Sequence, residues 1–168
     1  MKTKLKIGRG FTLVELLVVI VIIAALAGLT APMVIRQRKK ADQTEAVNNA
    51  KQIGIAMFEF ENGYGSFPDT TTGEQVTENT GTTLTFAGGQ SNDFFRQLMA
   101  AEIAPSEAMF YAKANYTKKP DNVFNTSTSA LAAGEVGFGY IMNGTTAFST
   151  SGNPSRPIVA APLAGTTT

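Results

Sequence analysis

The chain has 168 residues, 43% of them hydrophobic, with 14 basic and 13 acidic side chains and a net charge of +1. It has no cysteine and no histidine, which excludes disulfides, thiolate metal sites, a thiol nucleophile and the commonest general base. Setting aside Lys2, Lys4, Lys6 and Arg9 leaves 10 basic against 13 acidic side chains, a net of −3, and no basic patch points to nucleic acid.

No Ser/Lys or paired-carboxylate constellation stands out either, so the chain reads as a non-enzyme with no cofactor and no metal site. The N-terminus is more informative. Leu16 to Leu29 carries no polar side chain, and Phe11 to Ala31 is apolar apart from Thr12, Glu15 and Thr30. Those 21 residues make a helix of roughly 31 Å, enough to cross a bilayer core. A carboxylate inside such a helix is costly and calls for a partner. A secretory signal fits poorly, because the apolar run exceeds the ~7–15 residues of a signal core and Pro32 follows the small-residue stretch Ala27 to Ala31. A simple membrane anchor explains the length but not Glu15. Charge does not set its orientation, since Arg36, Arg38, Lys39 and Lys40 flank the far side as heavily as the leader flanks the near side.

The run Gly8-Arg9-Gly10-Phe11-Thr12-Leu13-Val14-Glu15, entering an unbroken apolar stretch, resembles the type IV pilin and type II secretion pseudopilin superfamily. That pattern is a short basic leader ending in Gly, then Phe-Thr-Leu-(Val/Ile)-Glu, then the apolar run. The resemblance implies cleavage between Gly10 and Phe11 by a prepilin peptidase, which then methylates the new Phe11 amine. Cleavage on the cytoplasmic face sets residues 1–10 inside the cell and the bulk of the chain outside. It also creates a positive amine at the depth of Glu15, so that Glu15 of one subunit is expected to pair with Phe11 of a neighbour in a filament.

Within the span, Ala24, Ala27, Gly28 and Ala31 form a small-residue stripe suited to close helix packing. Pro32 lacks a backbone donor and is expected to kink the helix, a feature that pilin-like proteins share at this offset. Beyond it, Ala46, Ala50, Ile53, Met57 and Phe60 recur at helical spacing, opposite Lys39, Gln43, Gln52 and Glu59. Asn62-Gly63 is the expected stop, and Arg38 can pair with Asp42 one turn away.

In the remainder, Tyr64, Phe67 and Pro68 are expected to pack back on the long helix. Residues 70–90, with eight Thr between Thr70 and Thr85, read as a surface loop with one short strand at 83–86. Ser91-Asn92-Asp93 opens a helix with the stripe Phe94, Phe95, Leu98, Met99 and Ile103, and Pro105-Ser106-Glu107 opens a shorter turn. Gly-alternating residues 136–142 meeting Asn143-Gly144 predict a hairpin with 145–149, with 156–161 as a third strand. The polar end Ala164 to Thr168 suggests that later strands of a longer protein complete the sheet.

The expected fold is α+β and pilin-like: a long bent N-terminal helix, half membrane-spanning and half amphipathic, packed under a small antiparallel sheet with short extra helices. Its segments are the leader (1–10), the membrane or filament-core helix (11–31), the amphipathic continuation (32–62) and a periplasmic head (63–168). Family features that need cysteines, or calcium ligands near the C-terminus, are not carried over, because after Asp121 the only acidic residue is Glu135. The resemblance implies a structural subunit of a type II secretion pseudopilus. The alternatives are a type IV or minor pilin for adhesion, motility or DNA uptake, and a non-polymerising single-pass binding module. The implied partners are the prepilin peptidase/methyltransferase, copies of the same chain, other pseudopilins, the inner-membrane assembly platform and the bilayer.

Overall fold

The computed structural model describes residues 11–86, 88–153 and 155–161, with backbone alone at 31 and 32. The leader, Gly10 included, and the polar end from position 162 lie outside the described residues. Helix α1 runs over Leu13–Tyr64, 52 residues without interruption. The two predicted helical segments are therefore one element, helical through position 32; the side chain of Pro32, on which the expected kink rests, is outside the described residues. The chain divides into two compact units between Ala41 and Asp42.

In the first unit the apolar side chains stay exposed. In the second, the helix face foreseen from periodicity is the floor of the core. Ile53, Met57 and Phe60 are fully buried, while Ala46 and Ala50 pack at the margin; Gln43, Gln52 and Glu59 face out. Each large side chain so buried contributes about 1.5–3 kcal/mol. Asn49 adds a polar tie, its amide donating to the carbonyls of Ala108 (3.1 Å) and Tyr111 (2.8 Å). Asp42 does not take its predicted partner Arg38. It pairs with Lys113 at 2.9 Å, reached through the fold, since a basic residue four positions ahead of an acid is the weaker helical order.

The helix ends two residues later than expected. Tyr64 stacks on Phe60, one turn back, with ring centroids 4.4 Å apart, and that contact carries the helix past Gly63. Gly65, at φ 85°, supplies the left-handed cap and donates to the Glu61 carbonyl at 2.8 Å. Phe67 and Pro68 are buried, as expected.

The Thr-rich segment departs from the sequence expectation. Thr72–Thr80 is helix α2, and 83–86 is not a strand. Asp69 starts the helix: its Oδ1 accepts from the N–H groups of Thr71 (2.9 Å) and Thr72 (3.0 Å), while the Thr72 hydroxyl receives the Asp69 N–H at 2.8 Å. Gly81, at φ 64°, closes it. Reciprocal capping at one end and a left-handed Gly at the other outweigh the modest helix propensity of Thr. Val76 fixes the register by burying completely.

Helix α3, Ser91–Ala100, and a 3-10 turn, Glu107–Phe110, form where expected. Phe95 from α3 stacks on Phe110 at 4.9 Å, closing the core above α1. From α3, Asn92 donates to the Leu131 carbonyl (2.6 Å) and Arg96 to that of Ala130 (2.7 Å). These ties hold the buried Leu131 at φ 47°.

The sheet is smaller and differently paired than predicted. Strand β1 (Gly139–Tyr140) pairs antiparallel with β2 (Val159–Ala160), not with 145–149. The Asn143-Gly144 turn does form, as a single bridge between Asn143 and Thr146. Its arms diverge because other groups claim them. The Gly137 N–H donates to the Phe110 carbonyl at 2.9 Å. On the other arm, Ala147 N–H reaches Asp69 Oδ2 (3.4 Å) and Thr150 N–H reaches Glu61 Oε1 (2.9 Å). The expected small sheet is thus corrected: among the described residues the head is mostly helix, turn and loop around a two-stranded ladder.

Candidate functional site

The mouth of α1 is a built helix start. The Thr12 N–H and hydroxyl both donate to Glu15 Oε2, at 2.9 and 2.8 Å, and the Glu15 N–H donates back to Thr12 Oγ1 at 3.2 Å. This is a capping box, in which residues three apart satisfy each other's orphaned donors. The signal was present as Thr-x-x-Glu ahead of an apolar run, but sequence reasoning weighed Glu15 only as a charge and passed over Thr12. Oε2 accepts the N–H of the peptide that directly follows Phe11, so the box turns the carboxylate toward the chain end that leader removal would expose.

Past this cap, α1 is the one helix among the described residues long and apolar enough to cross a membrane. Phe11 is 81% exposed and Leu29 78%. Among the described residues, a Cβ added at Gly28 would meet nothing within 4 Å, so its smallness serves no packing within its own unit. The one polar group near the far end is satisfied locally, the Thr30 hydroxyl donating to the Leu26 carbonyl at 3.0 Å. A long apolar surface with no cover of its own needs lipid or other helices around it. Phe11 and Glu15 thus lie where the sequence places them, at the start of an apolar helix.

The fold also gathers three carboxylates that the sequence does not connect. Glu107 on the 3-10 turn, Asp121 and Glu135 each bring one carboxylate oxygen within 4.8 Å of the others. Glu107 and Glu135 are buried and Asp121 is exposed. Burial pushes the Glu107 carboxyl above its ordinary value, and the charges of Glu135 and Asp121 add to this, against hydrogen bonds from the Leu131 and Asn122 backbone. Spacings of 14 residues in sequence carry no periodic signal, so only the fold reveals the group.

Comparison with known proteins bears on the helix. Residues 6–31 match the family described as the prokaryotic N-terminal methylation motif. The chain is 40% identical over 67 residues to the type II secretion system core protein G of Escherichia coli (strain K12), covering 39% of this chain and 45% of that protein. It is 37% identical over 70 residues to the protein of the same name from Klebsiella pneumoniae, covering 40% and 49%. With the protein of that name from Klebsiella michiganensis the match is 26% over 132 residues, 77% of each chain. At the higher identities the chain spans about half the length of the curated relatives it matches. No solved structure matches it.

Proposed function

We propose that this chain, which carries the prokaryotic N-terminal methylation motif and has homologues named type II secretion system core protein G, is a structural subunit of a type II secretion pseudopilus. It acts by assembly and not by turnover. A prepilin peptidase removes the leader between Gly10 and Phe11 and methylates the Phe11 amine. The subunit then waits in the inner membrane with its head in the periplasm. The assembly platform moves it into a filament of copies of itself and other pseudopilins.

One observation carries this reading: an uncovered apolar helix that begins, directly after Phe11, with a carboxylate locked in a capping box. In a filament, neighbouring helices replace lipid around that surface, and Gly28 lets one backbone approach another. Glu15 meets the amine of a neighbour's Phe11, so docking neutralises two poorly solvated charges at once. Around Pro32, loosened backbone hydrogen bonding allows the helix to adapt to its place in the filament.

The capping box makes the test sharper than a single alanine substitution. Glu15→Gln keeps a side chain able to cap but removes the charge, whereas Glu15→Ala removes both. Filaments sheared from cells and quantified by immunoblot should fall in both variants, with leader processing intact in both. Normal filaments with Glu15→Gln and none with Glu15→Ala would reduce Glu15 to a helix cap and refute the charge pair.

A further inference from the structure

We propose that Arg36, Arg38, Lys39 and Lys40 form a collar on α1 that binds the phosphate headgroups of anionic phospholipid, on the side of the bilayer opposite the leader. The inference rests on α1 lying in a bilayer, as in the filament reading, but not on polymerisation. It starts from an abrupt boundary. Met33, Val34 and Ile35 are exposed apolar side chains, and the basic residues begin at the next position. The stretch from Phe11 to Ile35 makes roughly 37 Å of helix. That exceeds a hydrocarbon core of about 30 Å by an amount that tilt absorbs, so its end lies at the headgroups. No acidic residue occurs between Glu15 and Asp42. Asp42 itself is taken by Lys113 at 2.9 Å, and so does not quench Arg38 one turn before it.

The placement of the charges selects lipid over a protein partner. All four side chains are exposed on a continuous helix. Arg36, Lys39 and Lys40 share one side, at helical spacing, while Arg38 stands on the opposite side, two positions from Arg36. A partner docking on one face would gather its contacts on that face, whereas a ring of headgroups meets charge all round. The four also fall within about 6 Å of helix axis, the depth of one headgroup layer. Arg38 borders a shallow, mainly apolar hollow along Thr30, Met33, Val34, Gln37 and Ala41. There an acyl chain can lie along the helix with its phosphate at the guanidinium. These residues match the leader's basic charge across the span and so work against a charge-set orientation. Contact with an anionic leaflet gives them a use, since it holds the subunit at one depth until it leaves the bilayer.

The test is native mass spectrometry of the full chain in detergent micelles, titrated with phosphatidylglycerol or with phosphatidylcholine. Wild type should bind phosphatidylglycerol the more tightly. Each of Arg36→Gln, Arg38→Gln, Lys39→Gln and Lys40→Gln should lower that preference about fivefold. The basic leader residues are unchanged in every variant, so the differences report the collar alone. All four positions are exposed, so the variants keep the fold. No preference in wild type, or an undiminished preference in the quadruple variant, would overturn the proposal. Dimers that dissociate in the quadruple variant, with no lipid preference in wild type, would assign the collar to a second copy of the chain and overturn it too. None of these outcomes touches leader processing or filament yield, on which the filament reading is judged.

Discussion

Asp69 is the side chain on which the head's least expected element depends. Its Oδ1 accepts from the N–H groups of Thr71 and Thr72 and from the Thr71 hydroxyl (2.7 Å), and its Oδ2 holds Ala147 N–H. Its own carbonyl receives the buried Gln97 amide at 2.8 Å. Asp69→Ala removes the acceptor that caps the start of α2 and so strands the buried Thr72 N–H, which costs about 1–3 kcal/mol, or about 4–12 °C in melting temperature for a cooperative unit of this size. Asp69→Asn keeps a capping oxygen and should cost only about 0.5–1.5 kcal/mol.

The pH dependence follows from the same contacts. Burial pushes the Asp69 carboxyl upward, but the hydrogen bonds from Thr71, Thr72 and Ala147 outweigh it and hold it below the ordinary Asp value. A depressed folded-state pKa adds stability above the unfolded value of about 3.9, lost as pH falls through the folded value. Tyr140, pushed upward by burial and by Asp69, stays neutral across that window. Melting of the full chain followed by circular dichroism at 222 nm, from neutral pH down to about pH 3, should show the gap between wild type and Asp69→Asn closing below pH ~4. An Asp69→Ala variant no less stable than Asp69→Asn would refute the capping argument.

Two further predictions concern packing in the head. Gly137→Ala places a Cβ 2.6 Å from the Ala112 carbonyl oxygen and still closer to the Ala112 nitrogen; because those neighbours are backbone, the variant should lose about 1–3 kcal/mol, and an unchanged melting curve would show that the 110–112 segment yields freely. Asn49→Ala leaves the Tyr111 carbonyl without its donor and the Ala108 carbonyl with the Tyr111 N–H alone and should cost about 1–2 kcal/mol, seen as faster proteolysis of the 105–111 segment; cleavage at the wild-type rate would argue against Asn49 as the tie between that segment and α1.

The long helix was legible because its signals are local and repeated. An apolar run of membrane length and the spacing of Ile53, Met57 and Phe60 need no tertiary information. Helix α3 and the 3-10 turn were legible from their starts at Ser91 and Ser106. What was missed depended on pairings or on weak propensities. Helix α2 rests on Asp69 and Gly81, two capping residues around a Thr-rich stretch whose composition reads as loop. The Asn143-Gly144 turn is real, but the strand opposite β1 was chosen by distant groups, Phe110, Asp69 and Glu61, that claim the hairpin's arms. At the candidate site, Phe11 and Glu15 stand out by residue type and position, whereas Thr12 acts only through the geometry it makes with Glu15. The Glu107, Asp121 and Glu135 group draws on the 3-10 turn and two separate loops and is invisible to any pattern along the chain.

The central claim is that the chain becomes an assembly subunit by losing its first ten residues. Mass spectrometry of the intact protein purified from native membranes, with fragmentation of its N-terminal peptide, tests this most directly. The account predicts a mature chain beginning at N-methylated Phe11. A protein that keeps Met1 to Gly10 in those membranes would contradict it.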